Sequence, residues 1–147
     1  MRLFIDTNVL ISTILFPSST SAAFTRNAVE EHALVISDHV VEELYEVVRR
    51  KFPNRIGAIE VFLRQFPHER VSNVDESAAY DVDDLRDEKD RPIIAAALAS
   101  RCDRIITGDQ DLLVLDSKQL RIVSPGQFLR SSTDAAQEKE TRNEKAD

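Results

Sequence analysis

Apolar residues along this chain follow two rhythms. Leu3-Phe4-Ile5, Ala33-Leu34-Val35-Ile36, Arg104-Ile105-Ile106-Thr107 and Leu120-Arg121-Ile122-Val123 are runs too short for helices and suited to strands buried on both faces. Between them, apolar positions recur at helical spacing. Asn8 to Phe16 predicts a short helix broken at Pro17, and Ser18 to Ser21 offer caps for a second helix reaching about Glu31. Ser37 or Asp38 caps a third that runs to about Lys51, ahead of Phe52-Pro53. Residues 54–66 form a fourth, with Ile59, Phe62, Leu63 and Phe66 on its apolar face. Glu69-Arg70-Val71 is a weaker strand, and Ser77 to Tyr80 a short helix. Pro92 sits in the first turn of a helix through Arg101, with Asp90 near its N-cap, and Leu112 to Leu115 packs back on the core. The alternation predicts an α/β fold with a mainly parallel central sheet of about four to five strands.

With 147 residues, 42% of them hydrophobic, the chain suits one domain with a sizeable core. From Ser131 onward Val, Ile, Leu and Phe are absent, so little burial can offset the entropy of ordering. This divides the chain into a domain over 1–130 and a polar tail over 131–147, expected to be disordered. No apolar run approaches bilayer length, and membrane association is not expected. Residues 9–16 resemble a signal-peptide core, but Asp6 accompanies Arg2 before them and no small-residue cleavage site follows. The single Cys102 rules out an intramolecular disulfide, consistent with a cytoplasmic location.

The net charge of −7 opposes nucleic acid binding unless a local basic patch or a metal offsets it. Arg49-Arg50-Lys51 with Arg55 and Arg64 is the one basic concentration, either a solvated helix end favoured by the helix dipole or a phosphate-contacting patch. Acids gather from Asp75 to Asp90, where Asp75, Glu76, Asp81, Asp83, Asp84, Asp87, Glu88 and Asp90 face only Arg86 and Lys89. Most of that run reads as a solvated loop.

Asp6 follows the first strand, and Asp109 follows a later one through the permissive Gly108. In open α/β sheets ligands bind outside the carboxyl ends of strands, so both acids are placed for a metal or a phosphate. Each also reads singly as a loop or capping aspartate. Glu43 borders the buried stripe of its helix, whereas Glu42 points to water. Asp87 and Asp90, three apart, share a face if their turn is helical. His32, His39 and His68 are scattered, so the chain lacks a zinc-type cluster, and its three glycines form no phosphate loop. Carboxylates gathered in one cleft point to metal-assisted phosphoryl chemistry.

Phe4-Ile5-Asp6-Thr7-Asn8-Val9-Leu10, Glu43-Leu44, Asp87-Glu88-Lys89-Asp90-Arg91-Pro92-Ile93-Ile94-Ala95 and Ile106-Thr107-Gly108-Asp109-Gln110-Asp111-Leu112-Leu113 resemble, in order, the motif blocks of PIN-domain nucleases. The similarity spans roughly residues 2–128 and is greatest to bacterial toxin-like PIN proteins related to VapC toxins. It implies a three-layer α/β/α fold with a catalytic acidic quartet of Asp6, Glu43, Asp90 and Asp109. Asp87 and Asp111 match accessory acids, and Asn8 and Thr107 match polar residues that shape the site. It further implies Mg²⁺ or Mn²⁺ dependence, endonucleolytic cleavage of single-stranded RNA, a homodimer, and an antitoxin partner in a type II toxin–antitoxin pair. Asp6 and Asp109 would be the principal metal ligands, with Glu43 and Asp90 completing the site directly or through water.

Two rivals stand beside this reading. A non-catalytic PIN-like interaction or RNA-binding module explains the fold but gives no reason for all four acids. A hydrolase with an aspartyl nucleophile expects an aspartate two residues after Asp6, where this chain has Asn8, and a supporting lysine.

Overall fold

The run Leu3-Phe4-Ile5 takes the middle of the sheet, where both faces of a strand are covered, and all three residues are buried. The computed structural model describes residues 1–76, 88–115 and 120–146. Strands β1 (Arg2–Ile5), β2 (Ala33–Ser37), β3 (Glu69–Val71), β4 (Arg104–Ile106) and β5 (Arg121–Val123) are ordered β3-β2-β1-β4-β5, and every neighbouring pair is parallel. The edge strand β3 carries Glu69 and Arg70, both exposed, the charged side chains that discourage pairing with another chain.

Helices α1 (Thr7–Leu15) and α2 (Thr20–Glu31) join β1 to β2. α3 (Asp38–Lys51), the 3₁₀ turn Pro53–Arg55 and α4 (Ile56–Gln65) join β2 to β3. α5 (Arg91–Ala99) leads into β4, α6 (Gln110–Leu113) lies between β4 and β5, and α7 (Pro125–Ala146) ends the chain. The first three strands step in one direction from β1, and β4 and β5 are added on its other side. The strand order therefore reverses between β1 and β4, which opens a crevice at their carboxyl ends. Phe4 is level with Ile105 and Ile5 with Ile106, so Asp6 and Thr107 leave the sheet side by side.

Local signals explain the helix starts. Ser19 Oγ accepts from the Ala22 amide at 3.1 Å and Ser37 Oγ from the Val40 amide at 3.2 Å. Ser37, rather than Asp38, is thus the α3 cap, and Asp38 is left to pair with Arg70 at 2.6 Å. The basic last turn of α3 (Arg49, Arg50, Lys51) complements the helix dipole.

The structure differs from the sequence expectation in several places. Pro53 opens a 3₁₀ turn, so the fourth helix starts at Ile56 and not at residue 54. Leu112 and Leu113 belong to a short helix, and only Leu112 and Leu115 of that apolar run are buried. Asp90 precedes α5 but makes no side-chain capping bond, because the 3₁₀ turn Glu88–Asp90 runs straight into the helix and Asp90 is already helical.

The tail region is part of a helix. Residues 131–146 are helical within α7, so the expected boundary after residue 130 falls inside a helix. The physical reason is composition: Ala135, Ala136, Gln137, Glu138, Lys139, Glu140 and Arg142 are good helix formers, whatever they can bury. Every residue from 131 to 146 is exposed, as the lack of apolar side chains requires. The base of α7 is held by Phe128, whose ring meets Phe24 of α2 edge-on at 5.3 Å, a geometry worth about 0.5–1.5 kcal/mol beyond area burial. The expected helix at Ser77–Tyr80, Asp87, and the acids Asp81, Asp83 and Asp84 lie outside the described residues.

Candidate active site

Asp6 is the buried centre of the crevice, only 5% exposed. Its amide donates to the Ile106 carbonyl at 3.0 Å, extending the β1–β4 ladder by one rung and fixing the side chain against Thr107. The carboxylate accepts three hydrogen bonds. Oδ1 takes the Thr7 amide at 2.8 Å, at the start of α1, and Oδ2 takes the Thr107 hydroxyl at 2.7 Å and the Asn8 amide nitrogen at 3.0 Å. A carboxylate has about four lone-pair sites, so Oδ2 is saturated while Oδ1 keeps one.

Thr107 is the hub. Fully buried, its hydroxyl donates to Asp6 and accepts from the Asp109 amide at 3.0 Å. Asn8 braces the same loop, with Oδ1 accepting from the Gly108 amide at 3.0 Å. A Cβ at Gly108 would stand 3.5 Å from that Asn8 oxygen, an ordinary contact, so the glycine is not demanded by close approach. Asp109 caps α6 by accepting from the Asp111 amide at 2.9 Å through Oδ1, and its Oδ2 accepts nothing from the described residues. Asp111 itself is exposed.

Glu43 reaches the same region from the second turn of α3. It is partly exposed, as its place beside the apolar stripe implies, whereas Glu42 is exposed outright. Burial pushes the Asp6 carboxyl above its ordinary range, the bonds from Thr107 and Thr7 pull it back, and the charges of Glu43 and Asp109 push it further up. Asp6, Glu43 and Asp109 therefore form one electrostatically linked set. Asp90 is 8% exposed, at the head of α5.

His39 was not marked by sequence reasoning as part of this region. Its Nε2 is shielded from solvent and lies 3.3 Å from Glu43 Oε2, without hydrogen-bond geometry. The signal for it was the i,i+4 spacing on α3.

The donor chemistry suits a hard divalent cation. The linked set offers carboxylate oxygens only, and a cation would offset the repulsion from Glu43 and Asp109 that adds to the effect of burial on Asp6. Among the described residues no three Asp, Glu, His or Cys side chains approach closely enough to hold one ion between them. A Mg²⁺ site does not need three protein acids on one ion, since one or two carboxylates can act with waters and substrate phosphates.

Comparison with known proteins follows the same lines. No curated protein matches the sequence. The fold is similar to the VapBC2 complex of Rickettsia felis bound to a promoter DNA fragment, with a TM-score of 0.64 and 16% identity over 84% of this chain and 98% of that one. It is also similar to Mycobacterium tuberculosis VapC20, a sarcin-ricin loop cleaving toxin, with a TM-score of 0.57 and 15% identity over 81% of this chain and 98% of that one. At such identities the likeness speaks to fold alone. The model of the PIN domain matches residues 2–111, from the start of β1 through the Asp109 loop. With three quarters of its length matched and the crevice acids inside the match, this chain belongs to the PIN domain family.

Proposed function

We propose that the protein is a metal-dependent endoribonuclease that cleaves single-stranded RNA and serves as the toxin of a type II toxin–antitoxin pair. The observation that carries this reading is the linked set of Asp6, Glu43 and Asp109 at the strand-order reversal between β1 and β4. PIN family membership and the fold shared with VapBC2 and VapC20 support it.

Bound Mg²⁺ or Mn²⁺ supplies a water of lowered pKa and offsets the phosphate charge. Asp6 Oδ1 and Asp109 Oδ2, which keep acceptor capacity toward the described residues, would hold it, with Glu43 and Asp90 completing the site directly or through water. Thr107 and Asn8 hold the Asp6 carboxylate in one orientation, so it need not reorganise when the phosphate arrives. The exposed Asp111 acts as an accessory acid, and Asp87 is assigned the same role on the motif match alone.

A protein partner is part of the same reading. An apolar groove of about 330 Å³, lined by Pro17, Ala22, Val29, Phe62 and Phe66, suits the apolar face of an antitoxin segment. The protein acts as a homodimer in the cytoplasm, and no described helix is long and apolar enough to cross a membrane.

The test is a cleavage assay on single-stranded RNA with mapped ends, run with Mg²⁺, with Mn²⁺ and with chelator. Discrete internal ends that need either ion are expected. Cleavage undiminished by chelator, and retained in Asp109→Asn, overturns the proposal. Metal binding without cleavage favours the alternative, a non-catalytic PIN-like module.

A further inference from the structure

The candidate site absorbs the chain's acids but leaves its one basic concentration without a role. We infer that the last turn of α3 and the turn after it form a phosphate-contacting track for the backbone of the single-stranded RNA, leading away from Glu43. This rests on the ribonuclease reading and adds to it where the substrate lies.

Three observations carry it. First, Arg49, Arg50, Lys51 and Arg55 fall in a stretch with no acid between Glu46 and Glu60, in a chain with 26 acids against 19 lysines and arginines. Second, all four are exposed and none forms an ion pair with a described residue, although cations on the strands do: Arg2 of β1 pairs with Glu69 and Arg70 of β3 with Asp38. The helix dipole accounts for cations in the last turn of α3, but neither for the missing counter-ions nor for Arg55 beyond the helix. Third, Arg50 lies seven residues after Glu43 on the same helix. At 3.6 residues per turn the two share a face within about 20°, separated by about 10 Å along the axis. A strand with one phosphate at the carboxylate set can therefore lay another against Arg50 along a single helix face. Arg49 is partly engaged already, with its guanidinium 5.8 Å from the Tyr45 ring centre, which leaves Arg50, Lys51 and Arg55 as the freest contacts.

Each phosphate contact made by a cation releases counter-ions, so affinity for a single strand falls with salt by about 0.7 log units per log unit of salt per contact. Arg50→Gln with Arg55→Gln is expected to reduce that slope by about 1.4. Counted from about 1 M salt, where the counter-ion gain vanishes, this is a roughly 25-fold weaker Kd at about 0.1 M.

The experiment measures Kd for a labelled oligouridylate of about 12 nucleotides, within the span of known single-strand grooves, across a salt series in chelator so that nothing is cleaved. The control is Arg142→Gln with Lys145→Gln on exposed α7, which removes equal charge elsewhere. The expected result is a reduced slope and weakened binding for the α3 pair alone. The same slope for wild type, α3 pair and α7 pair overturns the track, as does a wild type that does not bind the oligonucleotide at low salt. Arg49→Gln with Lys51→Gln provides a second variant should the first fail to fold. Failure of metal-dependent cleavage by the wild type counts against the ribonuclease reading, whereas an unchanged slope in the variants counts against the track alone.

Discussion

Thr107→Val is nearly isosteric and removes one hydroxyl from a position with no solvent access. Three hydrogen bonds go with it, the 2.7 Å bond to Asp6 Oδ2, the 3.0 Å bond from the Asp109 amide and a long 3.4 Å bond from the Asn8 side-chain amide. The first has a charged acceptor and contributes about 1.5–3 kcal/mol, and the second, between neutral groups, about 1 kcal/mol. Their sum puts the loss near neutrality at about 3 kcal/mol, or roughly 6–12 °C in melting temperature for a domain of this size. The loss must also depend on pH. The Thr107 bond holds the raised Asp6 carboxyl down, so the variant's folded state takes up its proton at higher pH than wild type does. Once Asp6 is protonated the charge-assisted part of the bond no longer counts. The deficit should then shrink to about 1–1.5 kcal/mol as pH falls towards about 4, the ordinary aspartate value. Urea unfolding of both proteins in chelator, near neutrality and near pH 4, measures both quantities. A deficit under about 1 kcal/mol at neutral pH, or one that does not change between the two conditions, refutes the reasoning.

Asp6→Asn removes a buried charge that Glu43 and Asp109 repel, and its amide oxygen can still accept two of the three bonds. In chelator near pH 7 it should melt above wild type. Because the folded carboxyl is raised, wild type loses stability as pH rises from the unfolded value to the folded one, so the variant's advantage should vanish towards acid pH; a variant that is less stable at every pH makes Asp6 a structural cap. The described residues that truncation after Arg130 deletes, 131–146, are all exposed, and the Phe24–Phe128 contact is left intact. The truncation should lower the melting temperature by no more than about 2 °C, under 1 kcal/mol for a domain of this size, while the helical circular dichroism signal falls; a larger drop shows that residues 131–146 support the core.

Much of this fold was legible because burial and local chemistry agree in the sequence. Leu3-Phe4-Ile5 reads as a doubly buried strand and becomes the central one, and Ser19 and Ser37 read as caps and act as caps. Glu43 and Glu42 separate by helical spacing alone. What the pattern does not carry is strand order. Asp6 and Thr107 meet only because β4 pairs with β1, and nothing local to either segment states that. The role of Thr107 as the bridge between Asp6 and the Asp109 amide was hidden for the same reason. α7 shows a second limit: the lack of apolar residues speaks to exposure, and residues 131–146 are exposed, whereas their helix propensity is a separate signal that the apolar pattern does not carry.

The claim on which the account depends is that Asp6, Glu43 and Asp109 act together on a divalent cation. Calorimetric titration of Mn²⁺ into wild type, Asp6→Asn and Asp109→Asn, all without RNA, tests it most directly. Saturable binding by wild type, weakened at least about tenfold in each variant (about 1.4 kcal/mol), is the predicted result. No binding by wild type, or equal binding by all three proteins, contradicts it.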